Sequence, residues 1–458
     1  MPVEKSLLDG RAVGMLAAAL AAGIAGCGGG ASPGAPAAAP AFATADLQAA
    51  CRSMDDEEPS IRDRAERGLA ISPVPTNTDG LHRKWKRLVG LGSYIVNAAS
   101  DCAGCHSSAA GFLAGGNPFP LGPAGNVWSR NLTPDPTTGM QLTFAQFRES
   151  MRTGRDFDPD QTRMLVVMPW LTKRWASDLD LAAIYAYLRS IPPATHAVPE
   201  DVKDALPLPP SIPFPGHAYT DGDVVRPLKG SLESFSAERG LAISPLANPS
   251  GLRGDARDRF GVGSYIANSL LACNDCHTSP DRTPDPSKVN TAAFLTGGAV
   301  FAVPPPVQPA LKQVRATSAN LKGAVHGFFA EPDDSFARFR GIVETGAHAD
   351  ETPPTPLGFP MNIVAASLRN LLDYDLEAVY AYLKALPATT AGDEPRQAPA
   401  RWCAVAADCA SDETCAASGE CVGRACSADV DCDTCQTCGA GGTCKAPEAT
   451  SDCLAAAR

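Results

Sequence analysis

The chain has 458 residues, 16 of them cysteine and 7 histidine, with 44% hydrophobic and 19% charged residues and a formal net charge of −11. That length exceeds what one hydrophobic core organises and predicts about three domains. Basic residues scattered under an acidic total exclude a nucleic-acid partner, and the excess is uneven, since residues 403–458 alone carry −6.

Taken in order, the chain opens with Lys5 and Arg11 before an apolar run over residues 12–25. This is the pattern of a bacterial secretion signal (1–26), too short to span a membrane comfortably. Ile24-Ala25-Gly26-Cys27 resembles the lipobox of bacterial lipoproteins, which implies that Cys27 is lipidated and becomes the new N-terminus. Gly28, in place of aspartate, resembles outer-membrane sorting. The alternative is an ordinary cleaved signal with an incidental cysteine that pairs with Cys51; either way the protein is exported. Residues 28–41, rich in Gly, Ala and Pro, predict a flexible tether within 27–60.

The decisive string is Cys102-Ala103-Gly104-Cys105-His106. On a helical turn, thiols three apart can form thioethers with both vinyl groups of one haem while the adjacent imidazole reaches the iron. Cys273-Asn274-Asp275-Cys276-His277 is a second copy. A redox dithiol or half a zinc site would use the cysteines but leave His106 and His277 unexplained. Two covalently bound haem c groups, each with its iron, are therefore predicted.

Flanking strings repeat as well. RGLAISP at 67–73 returns at 239–245, and Gly92-Ser93-Tyr94-Ile95 returns as Gly263-Ser264-Tyr265-Ile266. Phe112-Leu113-Ala114-Gly115-Gly116 matches Phe294-Leu295-Thr296-Gly297-Gly298, residues 144–154 match 336–346, and Tyr185-Ala186-Tyr187-Leu188 matches Tyr380-Ala381-Tyr382-Leu383. The offset grows from 171 at the motif to 195 at the closing tyrosines, which places 24 extra residues in loops of the second copy. Each copy reads as helix, haem motif, long Pro/Gly-rich loops, short helix, ligand loop and closing helix (178–190 and 373–385), with sheet signals nearly absent. Gly90 lies four before Tyr94, and Gly261 four before Tyr265, so a bare backbone spot and a ring share a face where a crossing helix can settle.

This order of parts resembles class I c-type cytochromes over residues 66–386. The resemblance implies that His106 and His277 are proximal iron ligands and that Gly90 and Tyr94 pack on the closing helix with Tyr187. It also implies a methionine sixth ligand from the loop before that helix. In the first copy this is Met168, in Val167-Met168-Pro169-Trp170, with Met140, Met151 and Met164 as competitors. In the second it is Met361, preceded rather than followed by proline, with His326 and His348 as rivals. Methionine sulfur favours ferrous iron, whereas a vacant site admits peroxide or oxygen chemistry. His82, His196 and His217 lie outside both ligand loops and read as surface residues. Asn131-Leu132-Thr133-Pro134-Asp135, with Gly115-Gly116, is similar to cytochrome subunits serving membrane-bound alcohol and sugar-acid dehydrogenases; Asn320-Leu321-Lys322-Gly323 departs from it.

Ten cysteines lie between Cys403 and Cys453 among few large apolar residues, so disulfides must replace a core, in a pairing the sequence does not select. The fold class is all-α: cytochrome c domains at 61–195 and 233–388, a Pro-rich linker at 196–232, a second linker at 389–402 and a disulfide-rich module at 403–458. The reading is an exported dihaem cytochrome that relays single electrons and has no catalytic residue of its own. Its partners are redox proteins (a dehydrogenase, an oxidase or another cytochrome) and, through the lipid anchor, a membrane on the periplasmic or cell-surface side. The alternative is a dihaem enzyme of peroxidase or thiosulfate dehydrogenase type, in which one haem lacks a methionine cap.

Overall fold

The computed structural model describes residues 41–55, 58–120, 126–157, 165, 167–201, 233–246, 251–278, 293–302, 313–330, 334–348, 354–388 and short segments between 400 and 445. The signal with Cys27, Met164, His217 and the cysteines Cys426, Cys432, Cys435 and Cys453 lie outside them. About half of the described residues are helical. The first repeat comprises α1 (Ala45–Ser53), α2 (Pro59–Ile71), α3 (Arg83–Tyr94), α4 (Cys102–His106), α5 (Phe144–Thr153), α6 (Trp170–Lys173) and α7 (Asp178–Ser190). The second comprises α8 (Ala237–Ile243), α9 (Gly254–Tyr265), α10 (Cys273–His277), α11 (Phe336–Thr345), α12 (Met361–Leu368) and α13 (Asp373–Ala385). Strands of two to five residues form only small antiparallel sheets. They are too short to leave the alternation that marks a strand in sequence.

The helix ends follow from local chemistry. Thr143 and Gln146 form a reciprocal capping box at the start of α5, and Ser177 accepts from the Asp180 N–H to cap α7. Gly154 and Gly346 end α5 and α11 in the left-handed conformation.

Glycines set how closely the helices pack, though not as the sequence predicts. A Cβ at Gly90 would overlap the Ala65 carbonyl of α2, whereas a Cβ at Gly92 would overlap the Ala183 carbonyl of the closing helix α7. Gly261 and Gly263 repeat the arrangement against Ala237 of α8 and Ala378 of α13. Two residues along a helix turn it by roughly 200°, so Gly90 and Gly92 notch opposite faces. The opening helix is thus sandwiched, and the closing helix takes the Gly92 notch rather than the expected Gly90 face.

The described residues fall into two compact units. The first takes the chain up to Asp275 together with Ser367–Pro387, and so gathers the opening and closing helices of both repeats. Within it the repeats exchange partners. Tyr94 donates to Asp375 Oδ2 at 2.6 Å and accepts from the Leu372 N–H, while Arg64 makes two bonds to the Asp375 carboxylate at 2.7 and 2.9 Å. Reciprocally, Tyr265 donates to Asp180 and accepts from the Ser177 N–H at 2.7 Å. Phe235 lies between the two tyrosines, its ring centroid 5.9 Å from Tyr94 and 6.1 Å from Tyr265, with the Arg64 guanidinium 4.0 Å above it.

The second unit holds a small apolar cluster of Ile342, Leu357 and Ala365, against which Phe328 and Met361 pack. It also holds a three-stranded sheet (300–302, 313–317, 400–401) and the disulfides Cys403–Cys415 and Cys409–Cys421. The sulfurs of Cys403, Cys409 and Cys421 lie within 4.8 Å of one another because the two bridges are adjacent. No helix among the described residues is long and apolar enough to cross a membrane.

Candidate functional site

Each motif is presented by the same backbone device. The opening helix widens into a π-helical turn, Ile95–Ala99 or Ile266–Leu270, and then breaks at one left-handed residue, Asp101 (φ 47°) or Ala272 (φ 62°), before the motif starts a new helical turn. Such a conformation costs a residue with a Cβ about 1–3 kcal/mol, and its recurrence at equivalent positions marks it as part of the site. The two attachment turns begin side by side within the first unit, where Ser100 Oγ donates to the Leu270 carbonyl at 3.0 Å.

Cys102, Cys105, Cys273 and Cys276 keep their thiols, whereas Cys51, Cys403, Cys409, Cys415 and Cys421 are disulfide-bonded. Burial pushes the Cys102 thiol up to about 11 and the Cys273 thiol up to about 12. A reactive dithiol has its thiol lowered instead, so Cys102 and Cys273 do not have the character of redox-active thiols.

Both histidines are oriented by main chain. His106 Nδ1 lies 2.8 Å from the Arg130 carbonyl, and His277 Nδ1 lies 2.8 Å from the Ala319 carbonyl. A carbonyl only accepts, so Nδ1 carries the proton and Nε2 keeps the lone pair that a metal needs. Burial lowers both imidazole pKa values, which favours the neutral ring. The donor set of both sites therefore fits a covalently attached haem.

The loop that supplies the Arg130 carbonyl is tightly braced. Gly115, at φ +70°, donates its N–H to the His106 carbonyl, and a Cβ there would meet the backbone of residues 129–131 within 2.6 Å. Gly297 does the same beside Ser318 and Ala319. The strap after α7 then laps over the first loop: Asn131 bonds the Ala194 carbonyl, Thr195 bonds Asp135, and Asp201 takes both the Trp128 N–H and Arg130. His196 belongs to this brace, its ring resting on Gly116 with Nδ1 3.0 Å from the Ala114 carbonyl. It is therefore not the surface residue its distance from the ligand loops predicts. His82 caps α3 by accepting from the Lys84 N–H.

The two methionine segments are anchored alike. The Leu165 N–H bonds the Gly154 carbonyl, Trp170 covers Gly154, and Trp170 Nε1 bonds the Leu165 carbonyl, which ties down the stretch around half-buried Met168. In the second repeat the Leu357 N–H bonds the Gly346 carbonyl. By that register Pro360 stands where Met168 does, and Met361 falls one place later, at the first residue of α12. Met140 is buried in the first unit, His326 is exposed, and His348 lies in a two-residue strand paired with Thr355.

No protein-family model matches the chain. By sequence, it is similar to cytochrome c subunits of dehydrogenases. It is 27% identical to the fructose dehydrogenase cytochrome subunit of Gluconobacter japonicus over 308 residues, and 28% identical to the gluconate 2-dehydrogenase cytochrome c subunit of Pantoea cypripedii over 319. Each match covers 66% of this chain, which spans 53% and 60% of those relatives' lengths. The cytochrome c subunit of the quinone-dependent alcohol dehydrogenase of Gluconacetobacter polyoxogenes is 26% identical over 70% of this chain and 59% of its own length.

Sequence reasoning missed the carbonyls of Arg130 and Ala319, because a backbone acceptor has no residue identity to read. It also passed over Asp180 and Asp375, which were visible: Asp178-Leu179-Asp180 returns as Asp373-Tyr374-Asp375 at the offset of the closing tyrosines.

Proposed function

We propose that the chain is an exported dihaem cytochrome c that serves as the electron-transfer partner of a dehydrogenase. The observation that supports it best is the repeated site: two motifs with undisulfided cysteines, each with an imidazole turned by a main-chain carbonyl so that Nε2 is available. When bound, the haems supply a one-electron iron couple. Cys102 and Cys105, and Cys273 and Cys276, would hold the two groups, and His106 with Met168 and His277 with Met361 would ligate their irons. A capped iron has no open position for substrate, so the chain relays electrons and leaves substrate chemistry to its partner. Cys27 anchors it to a membrane through lipid.

The test begins with the purified ferric protein. Acid-acetone extraction should leave all colour with the protein, at two haems per chain. Met168→Ala and Met361→Ala should each lower the potential of one haem and open it to peroxide, while the wild type shows negligible peroxidase turnover. Wild-type peroxidase turnover with one haem insensitive to both substitutions would favour the dihaem-enzyme reading.

A further inference from the structure

The two segments that carry the methionines make matching contacts outside their own repeat. Helix α6 begins two residues after Met168, and its Thr172 donates to Asp275 Oδ2, inside the second attachment motif, at 3.0 Å. The next residue, Lys173, is buried; its Nζ donates to the Leu270 carbonyl, at the end of the π-helical turn leading into that motif, and lies 3.4 Å from Ser100 Oγ. Helix α12 begins at Met361, and near its end Ser367 donates to Asp101 Oδ1 at 2.6 Å, on the residue immediately before Cys102.

Thr172 and Ser367 are 195 residues apart, the offset of the closing tyrosines, so the hydroxyl recurs at an equivalent position. The acceptors are not equivalent: Asp101 precedes the first motif and Asp275 lies within the second. The same link is thus made twice with different aspartates, which common descent of the repeats does not explain. All four side chains lie within the first compact unit.

We propose that Thr172 and Ser367 are positioning residues, each holding the methionine segment of one haem against the attachment turn of the other. The sixth ligand at one site then depends on the other site. This rests on the dihaem reading above. It assigns the hydroxyls no contact with iron; they act through the segments they fix, as outer partners of metal ligands do.

The near-infrared charge-transfer band of methionine-ligated ferric haem reports this directly, with haem content measured in parallel. In a Met361→Ala background the band comes from the first haem alone, and in a Met168→Ala background from the second. Thr172→Val in the first background should weaken the remaining band at least twofold, with two haems still attached, and Thr172→Ser should restore it. Ser367→Ala in the second background should do the same for the other haem, and decides the question if Thr172→Val fails to mature. Full bands in the variants overturn the proposal. A wild type lacking two haems or the methionine band instead overturns the dihaem reading, and the proposal with it.

Discussion

Lys322 stands where the first repeat has Thr133, in the loop whose Ala319 carbonyl orients His277. It is 4% exposed, its Nζ lies 5.6 Å from the Phe329 ring, and Asp334 is the acidic group that acts on it. Burial outweighs Asp334 and brings the ammonium down from 10.5 to about 8. The unfolded chain keeps this proton to the ordinary value while the folded chain releases it earlier, so between those pH values unfolding takes up a proton and stability rises with pH. Lys322→Thr should remove that rise, so the difference in thermal midpoint between variant and wild type should shrink as pH climbs from 7 to 10. A constant difference would mean that Lys322 titrates normally. At this scale the sequence was informative where chemistry sits in contiguous residues, as at both attachment motifs. It was silent where a residue's role depends on what covers it, as for Lys322 and for His196 over Gly116.

Among the elements, α13 contributes the most consequential single contact, because Asp375 is fully buried and takes both Arg64 and Tyr94. Replacing such a pair with apolar residues can be neutral, but removing one partner strands the other charge at a cost of about 3–5 kcal/mol. Asp375→Ala should therefore lower the unfolding free energy by about that amount, measured by denaturant titration, while a joint Arg64→Met, Asp375→Leu replacement should cost less than half as much. Equal losses would show that the charges stabilise the fold themselves. The opening, short and closing helices of each repeat were legible in the sequence, and so was the need for glycine in α3 and α9, whereas α1, α2, α6, α8 and α12 were not read, α1 lying within the span taken as a tether. Which helix meets which glycine was not, because Gly90 and Gly92 are both notches and only the packed structure assigns α2 to one and α7 to the other.

At the scale of the molecule, attachment and cooperativity give separate tests. Membrane attachment is expected to depend on Cys27; a Cys27→Ser variant that is processed and still membrane-bound would refute lipidation there. The second test concerns the boundaries. The sequence reads as two tandem domains, 61–195 and 233–388, joined by a Pro-rich linker. In the structure each repeat's tyrosine bonds the closing helix of the other, Tyr94 to Asp375 and Tyr265 to Asp180, with Phe235 from the second repeat packed between the rings. Residues 61–201 expressed alone would leave Arg64, Tyr94 and Asp180 without these partners, at about 1–3 kcal/mol for each buried polar group stranded, and would bare the surface that meets Phe235. Against a total stability of about 5–15 kcal/mol that loss is large. The isolated repeat should give a broad, low-amplitude thermal transition and poor haem attachment, whereas residues 58–388 should unfold in one sharp transition. A single repeat that melts sharply with its haem in place would instead make the repeats autonomous, and the exchange of partners a contact between finished domains.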